Sequence, residues 1–129
     1  MTNVKFTPPR GAIGLEAEVT VIVPSTEGVR EQRKITVAEM NKRIKDVEYY
    51  LSKLFGGYTN IKALGGYALK KKGEVVHEDV AMVTSFGDKN IAISKQKEFN
   101  NRVQYWCKLW QQETVGIIWE GDFYMIKRK

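Results

Sequence analysis

The chain has 129 residues, of which 43% are hydrophobic and 28% charged; this fits one compact domain and excludes a two-domain enzyme. Its 21 Lys and Arg against 15 Asp and Glu give a net charge of +6, which allows an anionic partner without requiring one. The only cysteine is Cys107 and the only histidine is His77, so a disulfide framework and a Cys/His zinc site are excluded, and a Ser-His-Asp triad would have to use His77.

The first residues predict an arm rather than part of the core. Residues 1–14 include Pro8-Pro9 and two glycines and show no apolar periodicity, as in an extended segment that leads into a turn. The N-terminus has no apolar stretch typical of a secretory signal, and no apolar run approaches the roughly 18 to 20 residues that span a bilayer. We therefore expect a single cytoplasmic domain over residues 1–129 with no membrane partner.

Alternating apolar residues from Leu15 to Val23 predict a half-buried first strand that ends at Pro24. The polar stretch from Ser25 to Lys34 predicts a loop. Thr36 and Glu39 have the spacing of a helix capping box. The helix that follows carries an apolar stripe, with Lys42, Arg43, Lys45 and Asp46 away from it; the stripe is Met40, Ile44, Val47, Leu51 and Leu54. Gly56-Gly57 predicts its end.

Two further strands, 58–69 and 74–86, flank the basic segment Lys70 to Gly73 and predict a hairpin. A second helix is expected between Ser94 and Thr114, with Ser94 as its cap. Its residues Phe99, Val103, Trp106 and Trp110 have the spacing of a core-facing stripe. Cys107 in the same helix is expected to be a buried, inert thiol. The segments 115–119 and 123–126 predict a last strand and an extra one.

The element order predicts an α+β fold of the ferredoxin-like split βαβ type (βαββαβ): an antiparallel sheet with two helices on one face. The other face would be open to water, a ligand or another subunit. Because its strands have few purely polar faces, we expect self-association through the sheet.

Glu78 is the most informative position, because it interrupts an apolar alternation of Val76, Val80 and Met82. A two-residue hairpin loop places Tyr67 directly opposite Glu78, and a four-residue loop makes them diagonal neighbours on one face, roughly 7 to 8 Å apart. A three-residue loop would place them on opposite faces. A carboxylate in apolar surroundings predicts a ligand site, whereas a shift of one residue in register would make Glu78 a surface residue.

Other patterns point to less specific roles. Gly65-Gly66 predicts a bulge or a close approach of a ligand to the backbone, and neither this pair nor Gly56-Gly57 has the context of a phosphate-binding loop. His77 and Glu78 are adjacent in a strand and therefore face opposite sides, so no metal site is expected. Basic clusters at 30–34, 70–72 and 127–129, with Tyr58 and Tyr67, leave nucleic-acid binding open, although the RNP signatures of RRM domains are absent.

One stretch of the chain resembles a known family. Phe55-Gly56-Gly57-Tyr58-Thr59, Gly65-Gly66-Tyr67, Gly73, and Glu78 with Val80 and Val83 are similar to a pattern in short bacterial and phage proteins, among them the phage S-adenosylmethionine hydrolase/lyase family. In that family, too, ten residues separate the tyrosine from the glutamate. The resemblance covers roughly 40 of the 129 residues; the first strand, the second helix and the three lysines of the hairpin have no match in it.

The resemblance implies a trimer with its active sites between subunits and a reaction that needs no cofactor, no metal and no enzyme nucleophile. The carboxylate of S-adenosylmethionine would attack the carbon next to the sulfonium and release methylthioadenosine and homoserine lactone. Glu78 would hold the cationic part of the substrate and Tyr67 would orient it; the substrate-binding residues would be Tyr58, Thr59, Gly65 and Gly66. The alternatives are a basic binding module for nucleic acid or a nucleotide, and a viral protein that blocks a partner.

Overall fold

Five strands form one antiparallel sheet in the computed structural model, which describes residues 5–68 and 73–129. The elements in chain order are β1 (Ala17–Pro24), β2 (Thr26–Glu27), β3 (Arg33–Lys34), α1 (Val37–Phe55), β4 (Thr59–Ala68), β5 (Val75–Gly87), α2 (Lys89–Ser94), α3 (Gln96–Leu109), β6 (Thr114–Trp119) and β7 (Asp122–Lys127). The large sheet has the order β4-β5-β1-β6-β7. This is the ferredoxin-like arrangement predicted from the sequence, with β7 added at one edge.

The core lies between one face of the sheet and the helices α1 and α3. Alternate residues of β1 are buried there because successive side chains of a strand point to opposite faces. The core residues are Val19, Val21, Val23, Ile44, Val47, Leu51, Ala81, Val83, Phe99, Val103, Trp106, Cys107, Trp110, Val115 and Ile117. The predicted core stripe of the second long helix and the buried thiol are therefore confirmed, and burial raises the pKa of Cys107.

Helix α1 begins and ends where the sequence predicts. The Thr36 side chain accepts a hydrogen bond from the Glu39 backbone N–H at 3.1 Å, which satisfies one of the free donors of the first turn. Gly56 ends the helix with φ of 95°, a left-handed conformation that glycine adopts without steric cost. The helix thereby places Arg43 and Ile44 over the end of β1.

Two predictions about local structure are wrong. Ser94 does not cap the long helix α3; it is the last residue of the short helix α2. The N-cap of α2 is Asp88, whose side chain accepts hydrogen bonds from the Asn90 and Ile91 N–H groups. The segment predicted as a loop contains a small hairpin in which Thr26 pairs with Lys34 and Glu27 with Arg33. An Arg33–Glu27 ion pair at 3.4 Å ties this hairpin together.

The described part of the predicted arm, residues 5–14, is exposed throughout, and β1 begins two residues later than predicted. The Lys70–Lys72 cluster lies outside the described residues, as do Leu69 and the first four residues of the arm. Within the described ranges, no helix is long and apolar enough to span a bilayer.

Candidate functional site

In the part of the chain that the structure describes, one face of the sheet carries no helix. We call it the helix-free face; the register of the five strands brings Tyr67, Glu78, Ile22, Gly116 and Phe123 to it, one from each strand. Most of its large side chains are apolar, and several are at least half exposed, including Ile61, Phe123 and Met125. A half-buried carboxylate on such a face is the feature that the sequence pattern predicted.

A groove of about 680 Å³ runs along this face beside the β2–β3 hairpin. Its volume lies within the usual range of small-molecule sites, about 300 to 1,000 Å³. Tyr67, Glu78 and Phe123 line it together with Arg30 and Gln112. The groove therefore combines aromatic surface, an acid and polar side chains from distant parts of the chain.

Glu78 is held in place by two donors from the segment that follows β1. Its Oε1 accepts a hydrogen bond from the Ser25 N–H at 3.1 Å and another from the Thr26 hydroxyl at 2.9 Å. Both bonds go to the same oxygen, and the described residues provide no bond to Oε2. The carboxylate is thus fixed in direction while its second oxygen stays free to accept a bond from a ligand.

The strand register decides the geometry between Glu78 and Tyr67. Glu78 pairs with Gly65, and Tyr67 pairs with Val76, which matches the four-residue loop and not the two-residue loop. The two side chains are therefore diagonal neighbours on the helix-free face. Pairing is continuous from Thr59 to Ala68, so Gly65-Gly66 forms no bulge.

The remaining site residues predicted from the sequence do not all lie near Glu78 and Tyr67 within one chain. Gly65 pairs with Glu78 and lies on the helix-free face, whereas Gly66 pairs with His77 and lies on the other face of the sheet. Thr59 lies at the opposite end of β4 from Tyr67, about 26 Å away at about 3.3 Å per residue, and Tyr58 directly precedes it. The roles of Tyr58, Thr59 and Gly66 in binding remain predictions.

Sequence reasoning missed the polar network behind Glu78. Arg43, expected away from the apolar stripe of α1, is only 5% exposed. Its Nη1 donates to the carbonyls of Pro24 and Thr26, both at 2.8 Å, and its Nη2 donates to the Trp110 carbonyl at 3.3 Å. Burial lowers the pKa of the guanidinium, and the charges of Glu27, Glu39 and Glu78 oppose that shift.

Gln112 completes this network from the other side. It is 5% exposed, and its Nε2 donates to the Thr26 carbonyl at 2.6 Å and to the Trp110 carbonyl at 3.2 Å. Two carbonyls are thus shared by Arg43 and Gln112. The only sequence signal for the network is the polar pair Ser25-Thr26 directly after the apolar strand that ends at Pro24.

His77 is exposed on the face of β5 opposite to Glu78. Among residues 5–68 and 73–129, no three His, Cys, Asp or Glu side chains are grouped in a way that could hold a metal ion.

Comparison with solved structures finds two matches that span nearly the whole chain. One is a phage SAM lyase in complex with S-methyl-5'-thioadenosine, with a TM-score of 0.60, 14% identity, and coverage of 93% of this chain and 96% of that chain. The other is a phage SAM lyase in the apo state, with a TM-score of 0.51, 16% identity, and coverage of 97% and 98%. No family model and no curated protein matches the sequence. The chain therefore shares the fold of these lyases at low sequence identity.

Proposed function

We propose that the chain cleaves S-adenosylmethionine to methylthioadenosine and homoserine lactone in the groove beside Glu78. The observation that carries the proposal is the half-buried Glu78 carboxylate in the groove. Two hydrogen bonds hold its Oε1, from the Ser25 N–H and the Thr26 hydroxyl, and its Oε2 is available to a cation. The likeness in fold to SAM lyases, one of them with methylthioadenosine bound, supports this substrate class over other cations.

The proposed reaction balances without water or a cofactor. An oxygen of the substrate carboxylate forms a bond to the carbon next to the sulfonium, the carbon–sulfur bond breaks, and its electron pair stays on sulfur. The products are a neutral thioether and a five-membered lactone that keeps its ammonium group. The protein would hold the substrate in a folded conformation in which the attacking carboxylate oxygen, the carbon and the sulfur lie in line.

Charge considerations assign Glu78 a binding and orienting role. The sulfonium loses its charge as the carbon–sulfur bond breaks, so a carboxylate close to sulfur would stabilise the substrate more than the transition state. The ammonium group keeps its charge throughout. We propose that Glu78 accepts a hydrogen bond from this ammonium group and that the Tyr67 hydroxyl orients the substrate beside it.

We also propose that the protein is a homo-oligomer, a trimer as the sequence resemblance implies, that covers the helix-free face. The groove is open along one side, and Ile61, Phe123 and Met125 leave apolar surface in water beside it. Covering this surface with another subunit would bury apolar area and exclude water from the substrate.

The products formed in H₂¹⁸O test the reaction. Purified protein and S-adenosylmethionine should yield methylthioadenosine and an unlabelled lactone, and homoserine formed later by opening of the lactone should carry ¹⁸O in its carboxylate. Homoserine with ¹⁸O in its hydroxyl would indicate attack by water instead, and the absence of methylthioadenosine would remove the proposal. Binding of single-stranded nucleic acid that weakens with salt, without any cleavage, would favour the alternative of a basic binding module.

A further inference from the structure

Arg43 is a buried charged side chain that has no carboxylate partner among residues 5–68 and 73–129. The ion pairs of the described residues do not include it, and its hydrogen bonds all go to backbone carbonyls. Burying a charge in this way costs several kcal/mol unless hydrogen bonds compensate. Because burying the guanidinium costs more free energy than burying a leucine at this helix position would, we expect Arg43 to have a specific role.

The carbonyls that Arg43 holds belong to the segment that binds Glu78. The Pro24 carbonyl and the Ser25 N–H are the two ends of one peptide group, and this group is trans. Its carbonyl accepts from Arg43 at 2.8 Å and its N–H donates to Glu78 at 3.1 Å. Because C=O and N–H point in opposite directions in a trans peptide, the guanidinium and the carboxylate lie on opposite sides of this group and polarise it in the same sense.

A second connection runs through Thr26. Its carbonyl accepts from Arg43 at 2.8 Å and from Gln112 at 2.6 Å, while its hydroxyl donates to Glu78 at 2.9 Å. Arg43 therefore binds a carbonyl next to each donor of Glu78: the Pro24 carbonyl beside the Ser25 N–H, and the carbonyl of Thr26 itself. The Arg43 guanidinium also lies 5.5 Å from the centre of the Trp110 ring, within range of a cation–π contact.

We propose that Arg43 is a positioning residue for Glu78: through the Pro24–Ser25 peptide and Thr26 it sets the direction of the carboxylate in the groove. Its effect on substrate rests on the function proposed above, but its effect on the Ser25 N–H does not. The guanidinium is suited to this because its planar fork reaches several carbonyls at once, whereas lysine presents a single point charge.

Hydrogen exchange of the Ser25 amide tests this without substrate. Arg43→Lys should speed exchange at Ser25 about tenfold, since a hydrogen bond to a charged group is worth at least 1.5 kcal/mol or about one factor of ten. Exchange at Val21, in the middle of β1, should stay unchanged and so serves as the control for global stability. In a Glu78→Ala background the same Arg43→Lys change should alter Ser25 exchange less than twofold.

The double-variant comparison separates positioning from general support of the fold. Equal acceleration of Ser25 exchange with and without Glu78, or no acceleration at all, would overturn the proposal. Thr26→Val provides a milder variant that removes one bond to Glu78 and leaves Arg43 in place; it should accelerate Ser25 exchange less than Arg43→Lys does. A larger effect from Thr26→Val would also count against Arg43.

Turnover gives the matching readout if the proposed function holds. Arg43→Lys should raise KM for S-adenosylmethionine about tenfold with a smaller change in kcat, and should add no more than twofold to the KM of Glu78→Ala. Failure of the wild-type protein to form methylthioadenosine would remove the proposed function and leave the exchange result standing. Unaltered exchange in an active enzyme would remove only the role of Arg43.

Discussion

Gly65 lies directly opposite Glu78 in the β4–β5 pair, so the strand neighbour of the carboxylate has no side chain. A Cβ added at Gly65 would meet the Glu78 carbonyl oxygen at 3.6 Å and Val80 Cγ1 at 3.7 Å, which are ordinary contact distances. The sheet itself would therefore accept a small side chain here. The backbone pairing therefore does not require a glycine opposite Glu78.

Substitutions of graded size at Gly65 test whether that space is used. We expect Gly65→Ala to lower kcat/KM for S-adenosylmethionine a few fold and Gly65→Val to lower it at least tenfold, because the larger side chain projects from the helix-free face next to the carboxylate. Valine suits a strand, so thermal unfolding followed by circular dichroism should show no loss of stability in either variant. Equal activity of both variants and the wild type would mean that substrate does not approach Gly65.

Tyr67→Phe removes only the hydroxyl that we assign to orienting the substrate. Tyr67 is about half exposed, so the variant should keep its thermal stability while kcat/KM falls about tenfold, as for loss of one hydrogen bond to a charged group. Tyr105→Phe is the matched control, since Tyr105 is similarly exposed but lies on α3. Comparable losses in both variants would indicate a general effect of removing a hydroxyl.

The helix cap, the core stripe and the hairpin could be predicted from the sequence because each depends on residues close together in the chain. Thr36, Glu39 and Gly56 define α1 within one segment. The sequence limited the hairpin register to alternatives that differ only in loop length. In the structure, Glu78 pairs with Gly65.

The surroundings of Arg43 and Glu78 could not be predicted, because they depend on distant contacts. Arg43 is buried since Pro24, Thr26 and Trp110 converge on it, and Trp110 is 67 residues away. The long helix α3 has Lys95 at its N-cap and no side-chain cap, because the short helix α2, which ends at Ser94, directly precedes it. The local sequence does not indicate the burial of Arg43, whereas the cap of α2 is local, since Asp88 accepts from the Asn90 and Ile91 N–H groups and aspartate is a preferred N-cap residue. The donors to Glu78 were missed for the same reason, since Ser25 and Glu78 are 53 residues apart.

Stability at high pH should depend on Tyr50. Its hydroxyl is buried without a hydrogen-bond partner among the described residues, and burial raises the pKa of Tyr50 from 10.0 to about 12. Between these values the folded chain keeps a proton that the unfolded chain loses, so stability is complete below about pH 10 and falls as the pH rises toward about 12.

Tyr50→Phe removes this dependence. Urea unfolding at pH 8 and pH 11.5 should show the wild type losing on the order of 1 kcal/mol more than the variant, after allowance for the partial exposure of the ring. At pH 8 the variant should be at least as stable as the wild type, because it no longer buries an unpaired hydroxyl. Parallel pH curves would show that Tyr50 does not carry the effect.

Light scattering tests self-association through the helix-free face. We expect a mass of three times the 14.8 kDa of the chain, and a shift toward the monomer for Phe123→Lys, which places a charge on the apolar face. Tyr105→Lys changes an aromatic side chain of similar exposure on the helical side and should keep the mass of the wild type. A monomeric wild type, or equal shifts for both variants, would contradict an interface on the helix-free face.

The central claim is that the Glu78 carboxylate holds S-adenosylmethionine for cleavage, and the rate of methylthioadenosine formation tests it most directly. Glu78→Gln keeps the shape of the side chain and removes its charge; we expect kcat/KM to fall ten- to a hundredfold, mainly through KM, in keeping with about 1.5 to 3 kcal/mol for a hydrogen bond to a charged group. Asp79→Asn removes the same charge one residue along β5, on the opposite face of the sheet, and should retain the activity of the wild type. Equal rates for the wild type and Glu78→Gln would contradict the claim.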